Sequence, residues 1–246
     1  MRAVLLAAGE GRRMRPLTDS TPKCLLEIVN NTTILDLAIE NLVWAGIEEM
    51  VIVTGYHAEM VRRHVEKRYP RLQVAWVHNP MYSHTNNSYS LWLARDAVGE
   101  GFLLLDADIL FDRRILPMLL GLKHGNALAV RTAGGWAEED MKVIVDEQGL
   151  VRTVSKVVPV AAASGESIGI EKFGGDFCAK LFSELSRRIA EGHGANEFYE
   201  ASFQAVIDGG VPLYGLDISP LGCVEIDTVE DYRHAQELVG NLCGRR

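Results

Sequence analysis

Near the start of the chain an apolar run over 3–7 gives way to Ala8-Gly9-Glu10-Gly11-Arg12-Arg13-Met14-Arg15-Pro16-Leu17-Thr18, and Thr21-Pro22-Lys23 follows. A buried strand, a glycine-rich turn and then fixed cations is how a backbone comes close to a polyphosphate. Gly9 and Gly11 lack the Cβ atoms that would hold a ligand off, and they tolerate the positive φ such a turn often uses. Backbone N–H groups freed by the turn cradle phosphate oxygens, while Arg12, Arg15 and Lys23 neutralise them. Gly-x-Gly after a strand also describes an ordinary βα turn, and it is the adjoining cations that favour phosphate. The chain has neither the Gly-x-x-x-x-Gly-Lys-Ser/Thr of a P-loop nor the third glycine of a dinucleotide fingerprint.

A second pattern is acidic. Leu103-Leu104-Leu105 leads into Asp106-Ala107-Asp108, and residues two apart in extended chain face the same side, so the two carboxylates can converge. Hard oxygen donors beside a phosphate site suit Mg²⁺, which keeps several waters and takes one or two protein carboxylates. Glu225-Ile226-Asp227 is another such pair at a strand end, able to supply a further ligand. The competing reading of the Asp106–Asp108 pair is helix capping, for which Asp112 is better placed. No Ser-His-Asp arrangement, reactive cysteine or redox motif competes for the chemistry.

To hold these groups in place, 246 residues at 48% hydrophobic content suffice for one α/β domain with a substantial core. The formal charge of −8 argues against nonspecific binding of nucleic acid or anionic membrane, and no apolar stretch reaches membrane-spanning length. Cys24, Cys178, Cys223 and Cys243 are scattered, as reduced thiols of a cytoplasmic protein would be. Apolar spacing predicts a helix from about 34 to 45, a strand at 50–54, a helix over 57–68 and a strand over 72–77. A helix over 88–98 and a buried strand at 102–105 follow. This alternation predicts a mainly parallel, Rossmann-like sheet with helices on both faces. The middle changes character, with a hairpin over 142–156, a strand over 167–173 and helices near 176–190 and 197–208. Strands near 213–217 and 223–226 and a helix over 229–239 close the chain. We read a single domain, with a nucleotide-binding core of about 1–130 and 220–246 and a β-rich acceptor insert of about 131–219. Nucleotide should lie across the carboxyl ends of the parallel strands.

The opening string with Pro22-Lys23 resembles the signature of the nucleotidyltransferases that activate sugar phosphates and phospho-alcohols. That resemblance implies attack by an acceptor's phosphate or phosphonate on the α-phosphorus of a nucleoside triphosphate, with release of pyrophosphate. It also implies Asp108 and Asp227 as the Mg²⁺ pair, leaving Asp106 to support the ribose or the loop and Glu225 the local structure. No protein nucleophile is required: Lys23, Arg12 and Arg15 stabilise charge on the α-phosphate and the leaving group. Thr85-Asn86-Asn87-Ser88-Tyr89-Ser90 resembles the Asn-Asn-x-x-Ser stretch of cytidylyltransferases acting on phosphocholine and small phosphonates, and implies CTP. From chemistry alone the two amides suit a base edge or ribose, and capping by Asn87 or Ser88 explains them equally well. The expected nucleotide contacts are Leu6, Ala7, Ala8, Gly9, Glu10, Gly11, Arg12, Arg13, Lys23, Thr85, Asn86, Asn87, Ser90 and Asp106.

For the acceptor, enzymes of this group hold choline against an aromatic face. Where such a tryptophan is expected, the chain reads Glu139-Asp140-Met141-Lys142, with Trp136 just before it. Lys142 and Lys156 would suit an anionic acceptor, although a solvated strand lysine is the plain alternative. Segments around Glu166 and Gly169, and Asn196-Glu197-Phe198-Tyr199-Glu200, resemble acceptor-pocket segments, with Glu197 or Glu200 meeting an amine and Tyr199 packing on it. The expectation is an acceptor like 2-aminoethylphosphonate ahead of phosphocholine. A sugar-1-phosphate uridylyl- or thymidylyltransferase and a non-catalytic nucleotide-binding subunit are the alternatives, and a homodimer is compatible with either.

Overall fold

The computed structural model describes residues 1–242; Cys243 lies outside them. Its first strand, β1 (Arg2–Ala7), alternates sides. Ala3, Leu5 and Ala7 face one core, and Val4 faces another. Burial on both faces is what a central parallel strand requires. After it come β2 (Glu27–Val29), β3 (Thr32–Thr33), α1 (Ile34–Trp44), β4 (Glu49–Thr54), α2 (Ala58–Arg68) and β5 (Gln73–His78). Helices α3 (Asn87–Leu93) and α4 (Arg95–Val98) then lead to β6 (Phe102–Asp106), β7 (Ile109–Phe111), α5 (Ile115–Gly121) and β8 (Ala127–Arg131). The remainder is β9 (Lys142–Val145), β10 (Val151–Ser155), β11 (Gly165–Phe173), α6 (Gly175–Ala190), α7 (Glu200–Asp208), β12 (Tyr214–Asp217), β13 (Cys223–Glu225) and α8 (Val229–Leu242).

The fold is the expected Rossmann-like α/β one. Strands β6, β1, β4 and β5 run parallel, which brings Leu6 beside Asp106 and Ala7 beside Thr54 at one carboxyl edge. Beyond β6 the same nine-stranded sheet turns antiparallel through β11, β9 and β10, with β8 paired to β11 and β12 running parallel beside β8. Helices α1 and α2 cover one face, and α3, α6 and α7 the other. Thr33 and Asp36 form a reciprocal capping box that starts α1.

Two predicted helices are shorter than their patterns. The 88–98 segment breaks at Ala94 into α3 and α4, and the 197–208 segment begins as a helix only at Glu200. Residues 194–196 form a separate 3-10 turn whose Ala195 carbonyl accepts from Asn86 N, so a tertiary contact claims the backbone there. No helix among the described residues is long and apolar enough to cross a membrane.

Candidate active site

The turn after β1 lies at the carboxyl edge of the parallel strands. Gly11 has φ of 62°, and a Cβ on it would sit 3.1 Å from both Lys23 Cβ and Thr18 Cγ2. The buried Thr18 hydroxyl donates to the Gly11 carbonyl at 2.8 Å, fixing the turn. Met14 anchors the following 3-10 turn in a third core beneath α1 and α8. Neighbouring β4 is followed by Gly55, where a Cβ would fall 2.6 Å from the Ala8 carbonyl oxygen and 2.5 Å from Tyr82 Cβ. Only glycine lets the two strand ends and the Tyr82 loop close together.

Lys23 begins the 3-10 turn after Pro22 and directs its ammonium inward, 2.6 Å from Asp108 Oδ2 and 2.9 Å from Asp227 Oδ1. Burial disfavours that charge, but Asp108 and Asp227 outweigh it and raise the lysine pKa. The same pairing works in reverse on Asp227: burial opposes its ionisation, yet Lys23 and Arg13 hold its pKa below the usual range. Asp227 reaches this point because β13 pairs antiparallel with β7, setting Glu225 opposite Ile109, while Ile226 N donates to the Asp108 carbonyl.

Carboxylate oxygens of Asp108, Glu225 and Asp227 lie within 4.8 Å of one another. This oxygen-only set suits a hard divalent cation. Asp108 Oδ1 is buried without a hydrogen-bond partner and so has free coordinating capacity. Burial, then Asp108 and Asp227, pushes the Glu225 carboxyl up to about 8. Glu225, read from sequence as structural support, therefore stands within the acidic trio. Its place depends on the register between β7 and β13, which the local Glu-x-Asp pattern does not specify.

A cleft of about 380 Å³ opens over the trio, bounded by the glycine turn on one side and by Thr85, Asn86, Asn87 and Ser90 on the other. Leu6, Ala8, Gly9, Arg12, Arg13 and Asp106 also line it, whereas Ala7 faces a smaller adjoining hollow. The amide pair lines the cleft and also shapes the backbone around it. Asn86 Oδ1 accepts from Asn87 N as the α3 cap, and Asn87 Oδ1 accepts from Tyr199 N. The cap is Asn86, not Asn87 or Ser88. Sequence reasoning missed Asn79 and Tyr82, which share this lining with Phe198 of the expected acceptor segment. Buried Asn79 organises the loop by donating to Thr85 Oγ1 and Ser90 Oγ and accepting from Met81 N. The Asn-Pro pair after β5 was the available signal, since it marks a structured turn.

Four expected site residues are placed elsewhere. Lys142 is fully buried, and its ammonium donates to the carbonyls of Ala137, Glu138 and Asp140. It ties down the loop before β9 and does not face the cleft. Tyr199 is buried too, with its hydroxyl donating to Asp106 Oδ2 at 2.8 Å, so its ring is core. Glu197 pairs with Arg188 and His193. Arg15, half exposed, stands 3.5 Å from Asp19 and outside the cleft lining. Glu10 accepts from Arg12 at 2.8 Å and orients it. Of the remaining acceptor candidates, Lys156 and Gly169 border a chamber beyond the trio, and Glu166 pairs with Arg131 in a third hollow.

A family model described as Nucleotidyl transferase matches residues 2–140. That is more than half the chain, which belongs to this family of enzymes. Choline-phosphate cytidylyltransferase of Streptococcus pneumoniae is 26% identical over 244 residues, covering 98% of this chain and 99% of that protein. The 2-aminoethylphosphonate cytidylyltransferase of Lancefieldella rimae is 40% identical over 108 residues, 44% of this chain and 42% of that protein. Among solved structures, the inositol-1-phosphate CTP transferase from T. maritima has the same fold, with a TM-score of 0.80 at 20% identity and coverage of 97% of this chain and 96% of that one.

Proposed function

We propose that this nucleotidyltransferase is a Mg²⁺-dependent cytidylyltransferase that moves CMP from CTP to a small phosphonate or phospho-alcohol. The observation that carries the reading is Lys23 bridging Asp108 and Asp227 at the mouth of the glycine turn, with Asn86 and Asn87 across one cleft. The names of the two cytidylyltransferases similar to this chain favour CTP and that acceptor class. In this reading the nucleotide lies in the core of about 1–130 and 220–246, and the acceptor approaches from the insert of about 131–219.

An acceptor oxygen attacks the α-phosphorus of CTP. The bond from that phosphorus to the oxygen bridging to the β-phosphate breaks, and pyrophosphate leaves. Backbone N–H groups of the glycine turn hold the phosphates, and Arg12 and Arg13 neutralise them. Lys23 sits where charge grows, so its ammonium stabilises the transition state more than the bound substrate. Asp108 and Asp227, with Glu225 beside them, would hold Mg²⁺, whose charge neutralises the reacting phosphates. Asn87 borders the cleft, and its side-chain Oδ1 accepts from Tyr199 N.

The test is pyrophosphate release from CTP, UTP, dTTP and GTP, each with a panel of phosphonates, phosphocholine and sugar 1-phosphates, with and without Mg²⁺. Release from CTP with a phosphonate or phospho-alcohol is expected. Release confined to UTP or dTTP with a sugar 1-phosphate would replace this reading with the sugar-nucleotide one.

A further inference from the structure

At the acidic trio the protein's own cations already occupy the carboxylates. Lys23 Nζ lies 2.6 Å from Asp108 Oδ2 and 2.9 Å from Asp227 Oδ1. Arg13 donates to the other Asp227 oxygen, Oδ2. Both oxygens of Asp227 and one of Asp108 are therefore taken, and Asp108 Oδ1 is buried without a partner. The two cations differ in setting: the Lys23 side chain is 15% exposed and that of Arg13 66%. Both also line the nucleotide cleft, beside Gly9, Gly11 and Arg12. The Lys23 stem runs against the glycine turn, where a Cβ on Gly11 would meet its Cβ at 3.1 Å.

A divalent ion arriving alone meets a competitor. To take the oxygens of Asp108 and Asp227 it must break two charge-assisted contacts and leave the Lys23 ammonium without an anion. Stranding a largely buried cation is costly, and the displaced ammonium and the incoming ion repel each other at close range. A triphosphate reverses that balance. Seated on the glycine turn, it brings its own negative charge to the cleft that Lys23 and Arg13 line. The lysine's flexible four-carbon stem and the exposed Arg13 fork can both turn to phosphate oxygens, so the carboxylates are freed and neither cation is left unpaired.

Resting on the reading above that Asp108 and Asp227 hold a divalent cation, we propose that Lys23 and Arg13 keep this site shut while the cleft is empty, and that the nucleotide's phosphates open it by drawing both side chains away. Lys23 thus has two positions to serve, one on the aspartates before nucleotide arrives and one on the phosphates after. The divalent ion and the nucleotide then bind cooperatively, each raising the other's affinity by the same factor. Lys23 carries most of that coupling, because it bridges both aspartates from a nearly enclosed position, whereas Arg13 caps one oxygen from the solvent side.

The experiment titrates Mn²⁺ alone, without nucleotide, into the native protein, Lys23→Met, Arg13→Gln and Lys156→Met, and counts the free ion by electron paramagnetic resonance. Lys23→Met should tighten Mn²⁺ binding by about tenfold or more, the weight of one charge-assisted hydrogen bond. Arg13→Gln should tighten it about two- to fivefold, as fits an exposed pair, and its exposed position keeps the test open should Lys23→Met fail to fold. Lys156 lines the same cleft but sits over the Phe198 ring and pairs with none of the trio. Lys156→Met therefore controls for the loss of a nearby positive charge and should leave Mn²⁺ binding unchanged. Adding Asp108→Asn to Lys23→Met should abolish the gain. Native binding as tight as that of Lys23→Met, and lost in Asp108→Asn, would overturn the guarding role while the metal site stands. An equal gain in Lys156→Met would make the effect one of general charge and overturn it too. Absence of Mn²⁺ binding in every one of these proteins would overturn the metal site and its guards together.

Discussion

Lys23 touches both aspartates and faces the phosphate turn, so its removal separates binding from chemistry. Lys23→Ala should lower kcat by about a hundredfold, since one preorganised cation aimed at developing charge is worth roughly 3 kcal/mol. A rise in KM for CTP alone, read from steady-state kinetics, would make it a ground-state contact. If Asp108 and Asp227 hold the cation as proposed, Asp108→Asn and Asp227→Asn should each cut pyrophosphate release by orders of magnitude with unchanged circular dichroism, because each removes one anionic ligand. Near-native turnover in either variant would remove that residue from the proposed metal site. Lys142 makes the opposite case. Its buried ammonium satisfies three carbonyls of the loop before β9, so Lys142→Met should cost about 1–3 kcal/mol in denaturant unfolding. CTP and acceptor kinetics of the folded Lys142→Met protein should match the native ones, and a selective acceptor defect would return Lys142 to the pocket.

At the scale of elements, the site depends on how closely β1, β4 and the loop after β5 approach one another. Tyr56 N donates to the Ala8 carbonyl, which couples the end of β4 to the glycine turn. Gly55→Ala would drive a Cβ into that carbonyl and into Tyr82 at once. Backbone cannot yield there without moving the turn, so KM for CTP should rise by about tenfold or more, as a displacement near 1 Å at a reacting site costs even more. An isotherm for CTP checks this, and unchanged affinity would show that the turn tolerates the shift. A similar coupling joins α3 to the segment before α7 through Asn86 N to Ala195 and Asn87 Oδ1 to Tyr199 N. Those two contacts bring the Asn-Asn stretch beside Phe198 and Glu200.

For the whole molecule, buried acids that keep their protons set a pH trend opposite to that of paired surface carboxylates. Folded Glu200 holds its proton up to about 7, whereas the ordinary value is 4.5. The folded chain therefore binds more protons across that window, so this group's contribution to stability falls as pH rises from 4.5 to about 7, and the loss is complete above it. The shift corresponds to on the order of 3 kcal/mol. Glu200→Gln should match the native melting temperature near the bottom of the window and exceed it above the top. Calorimetry over that range reads the difference, and a constant gap would mean that Glu200 does not titrate there.

Where one element sufficed, the sequence by itself was decisive. The apolar run of β1, its glycine turn and the cations beyond it are a local pattern, and so are Asp106-Ala107-Asp108 at the end of β6 and the strand–helix alternation that makes the sheet. These followed from residue type, period and order along the chain, which short-range sterics and burial translate directly into backbone. What lay across the sheet was decided only by tertiary structure. Glu225 joined Asp108 because β13 pairs with β7, and Glu200 came under the chamber because α7 docks on α6 and β10. Lys142 was lost to the site for the same reason: three carbonyls of its own loop met the ammonium first. A side chain's partners across a fold depend on register and packing between distant segments, and neither is written in the spacing around any one residue.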